Sequence, residues 1–172
     1  STYGTGCFAL LNTGATPVDR AGLTNGVLLA IKVAGYPFEL PVTGIPSGTA
    51  FTTVDFGDVS AKTGATLQTE SRAAGATEFQ RPEDACWDPR NPDDHYFVTT
   101  ASFTGNSRLW RLSFVDAARP ELGGVIDLDG IRLKDGGQSI DFSATSGTRL
   151  SDGLIGGDGN DVLKGTGLVD AL

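Results

Sequence analysis

The hydrophobic positions of this chain fall in short runs, and helix-period spacing is almost absent. Runs rich in Val, Ile, Leu, Phe and Tyr are cut every ten residues or so by Gly, Pro, Asn and Asp, a pattern of short antiparallel strands and turns. Tyr3 to Leu11 reads as a strand, followed by a long polar loop from Asn12 to Gly26. Gly26 to Ala34 is a nearly continuous apolar run and predicts a buried strand. Phe38 to Val42 and Phe51 to Phe56 predict two more, separated by the Gly44-Ile45-Pro46-Ser47-Gly48 turn. A short helix is expected around Ala65 to Ala74, after Thr63-Gly64. Tyr96 to Phe103 is strongly β-forming. A Gly105-Asn106 turn then leads to an alternating stretch, with Arg108, Trp110, Leu112 and Phe114 on one face and Leu109, Arg111 and Ser113 on the other. Gly124 to Leu128, Ile131 to Leu133 and Gln138 to Ser143 complete the predicted strands.

Such a pattern defines an all-β protein: a sandwich, a barrel or a propeller. A propeller blade takes about 40–45 residues. The span 1–146 therefore holds about three blades, fewer than the usual minimum of about four. The expected architecture is part of a β-propeller-like domain over 1–146, completed by further chain or subunits, followed by a distinct segment over 147–172.

That second segment departs in composition. Gly156-Gly157-Asp158-Gly159-Asn160-Asp161-Val162-Leu163-Lys164 matches the calcium-binding nonapeptide G-G-x-G-x-D-x-U-x at every fixed position. Nine residues before Gly156, Asp161 and Leu163 stand Gly147, Asp152 and Leu154; nine residues after stand Gly165, Asp170 and Leu172. The glycines permit a tight turn. The aspartates Asp152, Asp158, Asp161 and Asp170 supply hard oxygen ligands for calcium, and the leucines stack into a narrow core. Without the cation, mutual repulsion of the acids is expected to leave this tail unfolded. The tail resembles the repeats-in-toxin (RTX) family of secreted bacterial proteins, which implies export to a calcium-rich exterior.

The chain of 172 residues carries a net charge of −8, so nucleic acid is not an expected partner. No apolar run reaches membrane-spanning length, and Ser1-Thr2-Tyr3-Gly4 shows no basic region followed by an apolar one. Two cysteines, Cys7 and Cys86, make no disulfide framework and are expected to be small buried hydrophobes. A single histidine, His95, offers neither a triad nor a His-based metal cluster. Trp87 and Trp110 are expected in the core.

The densest run of unusual residues is Arg81-Pro82-Glu83-Asp84-Ala85-Cys86-Trp87-Asp88-Pro89-Arg90. Pro82 biases Arg81 toward an extended backbone. Arg81 is a planar donor fork and Glu83 a hard oxygen ligand, so the pair is a candidate anion or metal site. The alternative is a local ion pair with a tryptophan anchoring a loop. In a regular strand Glu83 and Asp84 point to opposite faces, and they reach one ion only if the backbone bends there.

Arg81-Pro82-Glu83-Asp84, Trp87-Asp88-Pro89, Tyr96-Phe97-Val98-Thr99-Thr100, Arg108-Leu109-Trp110-Arg111-Leu112 and Leu23-Thr24-Asn25-Gly26 resemble the PhoX-type alkaline phosphatase family over most of residues 1–130. The resemblance implies a secreted phosphoesterase on a β-propeller that uses calcium together with iron. It assigns Glu83 as a metal ligand and Arg81 as a contact to the phosphate ester substrate. The implied reaction is metal-assisted phosphomonoester hydrolysis. The chain departs from the family in having no acid-flanked cysteine: Cys7 lies in Thr5-Gly6-Cys7-Phe8, and Cys86 belongs to a different place in the pattern. The expected function is part of a secreted calcium-dependent phosphoesterase; the alternative, from a different class, is a non-catalytic extracellular β protein held by calcium, with a structural or adhesive role. A lactonase- or phytase-like propeller hydrolase rests on fold analogy alone.

Overall fold

A computed structural model describes residues 8–11, 16–20, 27–102, 105–132, 139–141, 154–155 and 162–164. The elements in order are β1 (Phe8–Leu11), a single helical turn α1 (Pro17–Arg20), β2 (Val27–Val33), β3 (Thr49–Asp55), helix α2 (Gly64–Ala74), β4 (Pro82–Trp87), β5 (Asp94–Thr99), β6 (Ser107–Phe114), a 3-10 turn at Pro120–Leu122, β7 (Gly124–Arg132), β8 (Ser139–Asp141), β9 (Leu154–Ile155) and β10 (Val162–Lys164). The protein is mostly β, as its hydrophobic pattern predicts. Strands β1-β2-β3-β7-β6-β5-β4 follow one another in a single antiparallel sheet, curled like half a barrel. Among the described residues no helix is long and apolar enough to cross a membrane.

Alternation decides which side of β6 faces the core. Arg108, Trp110, Leu112 and Phe114 are buried, and their neighbours Leu109, Arg111 and Ser113 are only partly covered. Trp110, Leu112 and Phe114 join Ile31, Val33, Ile45, Phe51, Phe79, Phe97, Ile126 and Leu128 in one apolar cluster. Phe51 meets Phe114 edge-on at 5.1 Å, and Phe79 meets Phe97 edge-on at 5.0 Å, the arrangement the ring quadrupole favours.

Helix α2 forms where the sequence predicts it. Thr63 caps its start by accepting from Thr66 N–H at 3.1 Å, and Gly75 ends it in the left-handed region at φ 74°. Lys32, on β2, donates to the exposed carbonyl of Ala74 at 2.9 Å, which places a cation at the negative end of the helix. Thr77 then ties the exit of the helix to β2. Its N–H donates to Ile31 O at 2.9 Å, and its hydroxyl accepts from Val33 N–H at 2.8 Å.

Four predicted elements come out differently. Phe38 to Val42 makes only isolated bridges, Phe38 with Glu78 and Leu40 with Gly44. Pro37 precedes it and Pro41 lies within it, and neither supplies a ladder N–H. Arg81 is not extended but lies at φ 54°. Its N–H turns back to Phe79 O at 3.0 Å, and its carbonyl accepts from Thr100 N–H at 3.2 Å. That same contact ends β5 at Thr99, short of the predicted Phe103, and Ala101 follows at φ 47° with its N–H on Gln80 O. Finally, the predicted strands at 124–128 and 131–133 are one strand, β7. Its register against β6 jumps from Leu128 opposite Trp110 to Gly130 opposite Leu109, leaving Asp129 as the extra residue of a bulge.

Two further pairs are parallel. The second half of β7 pairs with β9, Ile131 opposite Leu154 and Arg132 opposite Ile155. Apart from the large sheet, β8 pairs with β10, with Ser139, Ile140 and Asp141 opposite Val162, Leu163 and Lys164.

Candidate functional site

The Arg81-Pro82-Glu83 segment sits where the chain leaves the core for the edge strand β4. The pairing of β4 with β5 shifts register between Pro82 and Ala85, so the backbone bends at Glu83 and Asp84. Arg81 Nη2 donates to Glu83 Oε1 at 3.1 Å. The Thr100 hydroxyl donates to the same oxygen at 3.1 Å. The two charged side chains are brought together, but at the surface, 51% and 43% exposed. There an ion pair is screened by water and is worth little. Asp84 is exposed beside them. Among the described residues no group of three or more His, Cys, Asp or Glu could hold a metal ion. The other four predicted metal ligands, Asp152, Asp158, Asp161 and Asp170, lie outside the described residues, as does Cys7.

Two residues expected inside are not. Cys86 is exposed on β4. Trp87 is 48% exposed. It covers the sheet end instead of filling the core, with its ring 4.7 Å from that of His95 and 5.7 Å from that of Phe114. The cause is the position of β4, an edge strand whose side chains find a neighbour on one side only. Trp110, on the central strand β6, is fully buried as expected.

Beneath Trp87, burial holds the His95 imidazole below its ordinary value of 6.5. The folded protein therefore refuses a proton that the unfolded chain accepts. This contribution to stability is intact above 6.5 and is lost as pH falls through the depressed folded value. Because His95 is the only histidine, its ring protons titrate unobscured in a proton NMR spectrum. The expected midpoint lies below 6.5, and His95→Gln is expected to flatten the stability profile just below that pH.

A fully buried polar cluster lies one layer deeper, and only half of it is readable from the sequence. Glu39 and Arg108 are both completely buried, with Arg108 Nη1 on Glu39 Oε1 at 2.7 Å. Glu39 also accepts from the Thr99 hydroxyl at 3.0 Å and from Gln80 N–H at 2.8 Å. Arg108 Nη2 donates to the carbonyls of Pro41 and Val42 at 2.6 and 2.8 Å. Trp110 Nε1 donates to Thr99 Oγ1 at 3.1 Å. Burial pushes the Glu39 carboxyl above its ordinary value; Arg108, the Gln80 amide and Thr99 oppose that rise without cancelling it. The signal in the sequence is Arg108 itself, an arginine on the apolar face of an alternating strand, which must find an anion. Its partner, 69 residues away in sequence, leaves no such mark. Gly44 makes room for the pair. A Cβ there would stand 2.8 Å from the Trp110 ring and 3.0 Å from Arg108 Nε, and its φ of 70° already disfavours a side chain.

A second charged cluster lies on the opposite face of β6. Arg111 binds Asp127 at 3.0 Å and lies 3.7 Å from Asp129 in the bulge of β7. Burial alone would lower the Arg111 pKa, but the Asp127 hydrogen bond, Asp129 and Tyr96 together hold the guanidinium above its ordinary value.

No family model, curated protein or solved structure matches the chain. What the site shows is therefore its own geometry: a mostly antiparallel β protein with a buried Glu–Arg pair at its centre and an accessible Arg–Glu pair at one edge.

Proposed function

We propose that the chain is an extracellular β protein held by calcium in its C-terminal repeats, with a structural or adhesive role. The observation that carries this reading is the placement of β9 and β10. They fall on Leu154 and Leu163, the apolar positions of two successive nine-residue frames, and each is paired in parallel. A roll built on such frames needs short parallel strands at those positions, with acid-bearing turns between them. Asp152, Asp158, Asp161 and Asp170 would be the ligands, all hard oxygen donors suited to calcium. The propeller part of the sequence-based expectation gains no support. The described antiparallel strands run in one continuous row and are not divided into four-stranded blades.

A phosphoesterase fragment is the second reading, favoured by one observation: Arg81 and Glu83 converge at an accessible bend. There Arg81 would hold a phosphate ester and Glu83 a metal ion, with iron beside calcium. Against it, the described Glu83 oxygen is engaged by Arg81 and Thr100, and the acid-flanked cysteine of the PhoX type is missing. Metal analysis of the purified protein and hydrolysis of p-nitrophenyl phosphate separate the two. Bound calcium, no iron and no turnover are expected. Iron together with turnover that is lost in Glu83→Ala would establish the phosphoesterase instead, and a protein that takes up no calcium would sink the structural reading.

A further inference from the structure

Both parallel pairs have the same offset. Ile131 and Leu154, Arg132 and Ile155, Ser139 and Val162, Ile140 and Leu163, and Asp141 and Lys164 are each 23 residues apart. The two legs within each layer also have one spacing: Ile131 to Ile140 and Leu154 to Leu163 are both nine residues. A constant offset on two separate strand pairs is what results when one coil of chain lies on the next. Two unrelated strand additions would have no reason to share it.

We propose that the end of β7 together with β8 is the seed coil on which the calcium repeats stack, so that the large sheet templates the roll. The inference rests on the calcium-roll reading of the tail and adds its docking surface. The surface is this chain's own backbone at 131–132 and 139–141, and the ligand that locks the next layer is a divalent cation. The first half of β7 is hydrogen-bonded to β3 at Gly124 to Ile126. Its second half keeps β6 on one side and offers the other side to β9. Half of the seed is therefore fixed by the main sheet before any metal arrives.

Charge explains why the β7 half of the seed is independent of the metal. Asp129 stands two residues before Ile131, as Asp152 stands before Leu154 and Asp161 before Leu163. The Asp-x-apolar spacing, though not the nine-residue register, thus recurs in β7. There the cation is supplied by the protein, since Arg111 reaches Asp129 at 3.7 Å and Asp127 at 3.0 Å. The later aspartates have calcium instead. Stacking a roll on a preformed edge removes the costly step of ordering a first coil from free chain.

Amide hydrogen exchange on the full chain, with and without calcium, tests this. Of the amides at 131 and 132, the one directed at β6 is expected to be protected without calcium, and those at 154–155 and 162–164 to gain protection when it is added. Ser139→Pro and Ile140→Pro each remove one β8 amide. Neighbouring residues of a parallel strand face opposite sides, so one of the two variants must delete a bond to β10. In that variant exchange at 162–164 and at 154–155 is expected to be at least about tenfold faster at saturating calcium, roughly the loss of 1.4 kcal/mol. Exchange in β6 is expected to be unchanged, because β8 pairs with β10 alone among the described strands. Protection at 154–155 and 162–164 equal to the parent's in both variants would overturn the proposal. If the parent takes up no calcium, the calcium reading fails, and the comparison of parent with proline variants still decides whether the coils stack.

Discussion

Glu39→Ala is expected to destabilise the protein by about 3–5 kcal/mol, because it leaves the Arg108 guanidinium buried without its anion. The loss is more than one ion pair. Gln80 N–H and the Thr99 hydroxyl also donate to that carboxylate, and together with Arg108 they fasten the 37–44 segment to β5, β6 and the approach to β4. Urea unfolding followed by tryptophan fluorescence measures it. The companion experiment distinguishes the strength of the pair from the penalty of breaking it. Replacing both partners by apolar residues of similar size, Glu39→Leu with Arg108→Met, removes the orphan charge and is expected to recover most of the loss, since buried pairs often contribute little net stability. A Glu39→Ala protein within about 1 kcal/mol of the parent, where an ordinary surface change would lie, would mean that Arg108 reaches water or another acid, and that the core is looser than described.

Trp110→Ala is the second large effect, expected at about 3–5 kcal/mol. The indole is wholly buried. Its ring stands 6.4 Å from that of Phe79, and its N–H satisfies Thr99. Truncation opens a cavity in the middle of the sheet and takes a hydrogen bond from the hydroxyl that supports Glu39. For a chain of this length each kcal/mol lowers Tm by roughly 2–4 °C, so a calorimetric scan resolves the change easily. The two substitutions share Thr99 and are therefore expected to be non-additive. Trp87→Ala serves as the contrast. Half of that side chain already faces water, so its removal is expected to cost clearly less than that of Trp110.

These contrasts show which features could be read from the chain. Period-2 alternation in 107–114 fixed the inner face of β6 down to the individual residue, including the anomalous arginine. Helix α2 was placed within a residue at each end because its signals lie within a few positions of one another. The strand expected at 38–42 fails because of Pro37 and Pro41, which supply no ladder N–H. Trp87 and Cys86 lie outside the core that their residue types suggest, because the identity of a residue says nothing of whether its strand is central or at an edge. The Arg81–Glu83 pair was legible as a proximity, being two residues apart, but its exposure was not.

The sequence by itself determined the strand-and-turn pattern, the short helix, the nine-residue repeat and the apolar face of β6, all of which depend on neighbours within a few positions. Only the tertiary structure decided that Arg108 pairs with Glu39, that β4 is an edge, that one bulged strand replaces two, and that two parallel pairs share a single offset. Those facts depend on contacts between residues far apart along the chain, and they are set by how the whole sheet buries its apolar face.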